Sequence, residues 1–270
     1  MQKTGIQYLT HTWNPIAMRC TPVSAGCDNC WHLRMANQMK ANLILGLEKR
    51  ASYTGGNPTL DCEELEKPLK LKKKSRIGVQ LMGDLFHDNI PDYMIINVFN
   101  RCMLANNHQF LFLTKRPARM RQIILKYRQR VKDFYNNFWF GVSAENQETW
   151  DQRVSFLLNT EGINRWVSLE PLLGNIDFSK KLCTREACND WGSGWGNHGC
   201  DNDTCPSRKI GWIACGAETG SGARLMKWEW AVNIANQCDD AGVPFFFKEP
   251  WHFKTPNSLR RREYPRGMIQ

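Results

Sequence analysis

No stretch of the chain carries 18 consecutive apolar residues, which excludes a helical membrane span. The opening residues, Met1-Gln2-Lys3-Thr4-Gly5, lack an apolar h-region, so no secretory signal is read there and a cytoplasmic protein is expected. No internal repeat of fixed period stands out, and disorder is excluded as a whole-chain description. Of 270 residues, 42% are hydrophobic and 23% charged, which is ordinary globular composition and enough for a sizeable core. Acidic residues are the scarcer charge: 26 Asp and Glu against 36 Lys and Arg, a net charge of +10. Such an excess favours a polyanionic partner without specifying a fold. A reducing compartment disfavours disulfides, so the 11 cysteines ask for another explanation, and metal or Fe–S ligation is the first candidate.

Short apolar runs alternate with helical patterns. Strands are expected at 5–9, 77–82, 109–114, 138–143, 165–169, 210–215 and 243–247. Helices are expected at 31–47, 93–104 behind Pro91, 117 to about 132, 148–158 and 228–241. Seven strands separated mostly by helices imply an α/β fold with a parallel sheet, open or closed into a full or partial β/α barrel. Residues 1–250 form this barrel domain. Residues 179–208, rich in Gly, Asn, Asp and Cys, read as an inserted segment, and 251–270 as a basic C-terminal tail.

Polar residues follow most strands directly: Gly83 and Asp84, then Thr114, Lys115 and Arg116, then Ser143 and Glu145, then Ser168 and Glu170, then Glu218, then Lys248 and Glu249. In parallel α/β folds these strand ends converge on one face, where ligands bind. Glu218 and Lys248 are the candidate catalytic residues on that face. The competing explanation is that loops after strands are polar in any protein.

Cys20, Cys27 and Cys30 form C-x6-C-x2-C between the first expected strand and the first helix. Three close thiolates suit three irons of a [4Fe-4S] cluster, leaving one iron open. Zinc would need a fourth ligand, from His32 or His11; three metal-free thiols are the remaining alternative. Cys183, Cys188, Cys200 and Cys205 form a symmetric C-x4-C-x11-C-x4-C set. It suits a zinc knuckle, with His198 as a possible substitute, or a second Fe–S cluster, or unligated thiols. Cys62, Cys102, Cys215 and Cys238 are isolated and read as ordinary buried small residues.

Three cysteines in the first loop of a parallel β/α barrel resemble the radical S-adenosylmethionine superfamily, whose usual spacing is C-x3-C-x2-C. The wider pattern is similar to a phage and bacterial branch of such proteins. It is carried by Thr12-Trp13-Asn14-Pro15, the cysteine cluster, Gly83-Asp84-Leu85-Phe86-His87, Leu113-Thr114-Lys115-Arg116-Pro117, Gly141-Val142-Ser143, Ser168-Leu169-Glu170-Pro171-Leu172, Gly216-Ala217-Glu218-Thr219-Gly220 and Phe245-Phe246-Phe247-Lys248. The resemblance implies a partial barrel of the TIM type and cluster ligation by Cys20, Cys27 and Cys30. It implies S-adenosylmethionine on the open iron and a 5′-deoxyadenosyl radical that abstracts a substrate hydrogen. Trp31 would cover the adenine, and Gly83 and Asp84 would receive the methionine ammonium. Lys115 or Arg116 would pair the carboxylate, Ser143 and Glu145 would bind the ribose, and Glu170 belongs to the same cofactor-binding set. The electron would come from a flavodoxin or ferredoxin.

Basic residues gather at Lys67–Arg76, at Lys115–Lys132 and at Arg260, Arg261, Arg262 and Arg266. Together they suit a nucleic-acid backbone, with Arg119, Arg121 and Arg260–Arg262 as its contacts. The expected function is therefore a radical enzyme rearranging a modified base in phage DNA, an isomerase-type reaction. The alternatives are a zinc-stabilised nucleic-acid-binding protein with an inactive barrel, and a radical enzyme with a small-molecule substrate.

Overall fold

A computed structural model describes residues 1–42, 46–128, 137–160, 162–178, 210–250 and 254–270. The 179–208 segment, with Cys183, Cys188, Cys200 and Cys205, lies outside the described residues, as does the end of the 115–132 basic run.

Among the described residues ten short strands occur: β1 (Gln2–Lys3), β2 (His11–Trp13), β3 (Ile16–Ala17), β4 (Thr59–Leu60), β5 (Arg76–Val79), β6 (Gln109–Thr114), β7 (Phe138–Ser143), β8 (Asn164–Leu169), β9 (Trp212–Gly216) and β10 (Phe245–Lys248). Eight α-helices are interleaved among the described residues: α1 (Trp31–Met39), α2 (Leu47–Thr54), α3 (Cys62–Leu65), α4 (Lys67–Lys70), α5 (Asp92–Leu104), α6 (Pro117–Arg128), α7 (Gln147–Leu158) and α8 (Trp228–Ala241). The main sheet runs β1-β2-β5-β6-β7-β8-β9-β10. Every pairing from β2 to β10 is parallel; only β1 joins its edge antiparallel. The fold is thus mixed α/β, as expected from alternating elements.

Seven strands in a parallel sheet were expected, and among the described residues seven parallel strands are present, but the first is displaced. Residues 5–9 are not a strand; β2 begins at His11. Tyr8 and Leu9 are buried inside the concave side of the sheet instead. Tyr8 packs edge-on against Trp212 of β9 and Phe246 of β10. Leu9 abuts Gly78 of β5 so closely that a Cβ there would lie 2.5 Å from its methyl carbon. Two adjacent residues reach strands that stand five places apart in the sheet, so the sheet is curled into a half-barrel.

Side chains alternate across the strands. Phe110, Phe112, Phe138, Phe140 and Val142 face the helices in the larger core. Leu111, Trp139, Trp166, Trp212 and Phe246 fill the concave side. Gly141 leaves room for the Trp166 indole, whose N–H donates to the Phe112 carbonyl at 3.0 Å. Capping is explicit at α7, where Asn146 and Thr149 form a reciprocal capping box.

Residues 254–270 are not a free basic tail. Arg262 bridges Phe246 antiparallel, covering the exposed edge of β10. Tyr264 and Met268 then pack under the sheet. Arg76, expected in a surface basic run, is buried there and donates to the Tyr8 and Ile269 carbonyls.

Candidate active site

The C-terminal ends of the parallel strands open into a cleft of about 240 Å³. Cys20, Cys27 and Cys30 line one wall, on the loop between β3 and α1. Cys27 is buried and the other two are half-buried. Gly83, Asp84, Lys115 and Ser143 line the cleft beside them. Glu170, Glu218 and Lys248 also line it, and Trp31, beside Cys30, is exposed. Among the described residues, no three His, Cys, Asp or Glu side chains are drawn into a metal-binding group.

The loop around Cys20 is held from three elements. His32 of α1 accepts the Cys20 backbone N–H at 3.2 Å through Nε2. Burial, then Arg19, lowers its pKa to about 4, so it stays neutral and accepts. His87 accepts the Asn89 N–H on Nδ1, which leaves Nε2 to donate to the Thr21 hydroxyl at 2.9 Å. Arg116 donates to the Thr21 carbonyl at 3.0 Å and reaches the Cys20 sulfur at 3.7 Å. Burial, with Asp84 nearby, pushes the Cys20 thiol up to about 11; Arg116 opposes that rise.

Asp84 is a hub. Its oxygens accept from the Phe86 N–H at 3.0 Å, the Thr114 hydroxyl at 2.8 Å and the Lys115 N–H at 3.0 Å, and pair with Arg116 at 3.3 Å. Gly83 has φ of 123°, and a Cβ would lie 2.7 Å from the Met18 sulfur, so glycine is required. Lys115 donates to Ser143 at 2.7 Å.

Glu145 does not line the cleft. It is fully buried behind the cysteine loop, accepting from the Gly26 N–H at 3.1 Å and pairing with Arg153 at 2.9 Å. Burial alone would raise its pKa, but Lys115 and Arg153 outweigh it and hold the carboxyl below the usual range. Glu218 is similarly engaged. Arg224 donates to it from three nitrogens and Asn29 from a fourth at 3.0 Å, drawing its pKa down to about 2. Arg224 also reaches Asp28 and the Ala25 carbonyl, while Arg34 donates to the Ser221 carbonyl. The 217–226 loop is thereby strapped across the cysteine loop. Lys248 pairs with Glu170 at 2.8 Å on the remaining wall.

The expected nucleic-acid residues are not brought together. Arg119 pairs with Asp92 at 2.6 Å and Arg121 donates to the Asn159 carbonyl, both from α6. Arg261 pairs with Asp239 and Arg262 with Glu249 beside β10, and Arg260 is exposed. Cys102, Cys215 and Cys238 are buried as expected, whereas Cys62 is exposed.

His32, read as a candidate zinc ligand, instead accepts the Cys20 N–H. Asn29, Arg34, Arg153 and Arg224 went unassigned, and the partners of Asn29, Arg34 and Arg224 lie between 187 and 196 positions away in the chain. His87 stood within a quoted motif, but its contact with Thr21 spans 66 positions. No curated protein and no solved structure matches the chain. A family model described as a protein of unknown function, DUF5131, matches residues 3–268, and the chain therefore belongs to that family.

Proposed function

We propose that the cleft holds a [4Fe-4S] cluster on Cys20, Cys27 and Cys30, with S-adenosylmethionine beside it, in a partial TIM-type barrel of the radical S-adenosylmethionine kind. The observation that carries this reading is the placement of all three cysteines on one wall of a cleft at the C-terminal strand ends. The donor set fits: three sulfurs leave a fourth position for a non-protein ligand, and the neighbouring polar groups suit an amino-acid moiety. When bound, the pair supplies one-electron cleavage of a sulfonium and so a carbon radical.

The chain's own residues position and shield. Asp84 orients Arg116 and the end of β6, and Arg116 and His32 fix Cys20. Lys115 and Arg116 offer cations to a carboxylate, and Ser143 offers a hydroxyl. Glu145 supports the cysteine loop from behind in place of the ribose contact expected from sequence. Glu218, saturated by Arg224 and Asn29, closes the mouth; Lys248 and Glu170 are the acid–base pair left facing the substrate side.

The proposed substrate is a base in nucleic acid, rearranged by an isomerase-type reaction, with a flavodoxin or ferredoxin as electron donor. The net charge of +10 and the exposed Lys72, Lys73, Lys74 and Arg260 support the polyanion. The test is anaerobic purification with iron, sulfide and zinc counts, followed by a 5′-deoxyadenosine assay. Cys27→Ala is expected to lose the brown chromophore and the product together. Zinc without iron at this site overturns the proposal.

A further inference from the structure

Beneath the cleft floor, four oxidisable side chains run in contact through the concave side of the sheet. Tyr8 lines the cleft. Its ring centroid lies 5.5 Å from Trp212 and 5.9 Å from Trp166, and the two indoles are 5.6 Å apart. Trp212 is 5.8 Å from Tyr264, a half-buried residue at the opposite, N-terminal end of the strands. Both indole N–H groups donate to carbonyls, Trp166 to Phe112 and Trp212 to Glu263 at 2.9 Å. That polarity favours positive charge on the ring.

The two ends of the chain differ chemically. The Arg76 guanidinium stands 4.4 Å over the Tyr264 ring and donates to its oxygen at 3.3 Å. A fixed cation on the face opposes removal of an electron from that ring. Tyr8 instead shares the cleft lining with the Glu170 carboxylate and the Ser168 hydroxyl, which are hydrogen-bonded to each other at 3.4 Å. A neighbouring carboxylate takes the phenolic proton when the ring loses an electron alone, and the same acid–base pair returns a proton when the phenoxyl is reduced. An oxidising equivalent therefore rests at Tyr8, on the cleft floor, and is discharged only when an external reductant supplies an electron through the chain.

We infer that Tyr8, Trp166, Trp212 and Tyr264 form a one-electron relay between the cleft and the far end of the sheet, with Tyr8 as hydrogen-atom donor to a carbon radical in the cleft. In the first step the Tyr8 O–H bond breaks and a substrate C–H bond forms, leaving a tyrosyl radical. In the second, an electron from a one-electron reductant at Tyr264 arrives through Trp212, and a proton returns from the Glu170–Lys248 pair. The donor role rests on the radical reading above; the relay itself does not.

The test is photo-oxidation of the full chain with a ruthenium polypyridyl sensitiser and an irreversible electron acceptor, read by electron paramagnetic resonance. The wild type is expected to give a tyrosyl signal that outlives those of exposed tyrosines. Tyr8→Phe, which keeps the packed ring, should lose it, and Trp212→Phe should weaken it. Circular dichroism checks that both variants are folded. An unchanged long-lived signal in either folded variant overturns the relay, as does its absence from the wild type. If the relay is present and 5′-deoxyadenosine is never formed, the radical reading fails and the relay stands.

Discussion

Arg153 of α7 reaches back eight residues to place its guanidinium 2.9 Å from the fully buried carboxylate of Glu145, which in turn accepts the Gly26 N–H of the cysteine loop. A buried charge stripped of its partner is costly. Arg153→Ala should destabilise the fold by about 3 kcal/mol, the low end for such a loss, because Lys115 remains 3.8 Å away. Urea unfolding measures this; a loss below about 1 kcal/mol, the worth of an exposed pair, would show that the carboxylate is solvated.

The clasp at Glu218 carries a pH dependence. Its folded pKa of about 2 lies below the ordinary 4.5. The stabilisation is therefore complete above pH 4.5 and is lost as pH falls toward 2. The hydrogen-exchange protection of residues 25–34 and 217–226, taken relative to the intrinsic rate at each pH, should fall through that window in the wild type. Glu218→Gln should show the low protection already at neutral pH. Identical profiles for the two proteins would remove Glu218 from this role.

Gly141 is fixed by packing, since its Cβ would lie 2.3 Å from the Trp166 indole nitrogen. Gly141→Ala should cost about 1–3 kcal/mol through overpacking. It should also shift the near-ultraviolet circular dichroism of the tryptophan cluster. An unshifted melting temperature would mean that the indole relocates freely.

For nucleic acid, Arg260 is the sharper probe, because Arg119 and Arg121 are already engaged within the fold. Arg260→Ala should flatten the slope of log affinity against log salt by about 0.9 on duplex DNA. Arg119→Ala should leave that slope unchanged. No salt-dependent binding by the wild type would replace the nucleic-acid substrate with a small molecule.

What could be read from sequence follows the physics of each segment. β6 and β7 were legible because both faces are buried, so Phe110-Leu111-Phe112 and Phe138-Trp139-Phe140 are continuously apolar and sharply bounded. The same signal misled at residues 5–9, where Tyr8 and Leu9 are buried as a plug inside the curl; burial, not extension, makes a run apolar. β2 hid because His11 and Thr12 are polar. The strand-end residues of the cleft were legible because parallel topology alone delivers them to one face. Which of them are free and which are saturated was not legible. Glu218 looks identical to Glu170 in sequence, yet Arg224, Asn29 and the backbone have claimed it. The C-terminal arginines read as a tail because their partners, Asp239 and Glu249, give no pattern at that distance.

The strap over the cysteine loop is held by guanidinium, carboxylate, amide and carbonyl groups, while Leu225 stays exposed and Met226 is only half-buried against the main core. Opening it would expose little hydrocarbon. Denaturant acts in proportion to the surface uncovered, so such an opening would have a slope near zero in urea. The cleft mouth is thus expected to behave as a separate low-energy opening unit, indifferent to urea well below global unfolding and sensitive to salt and acid instead.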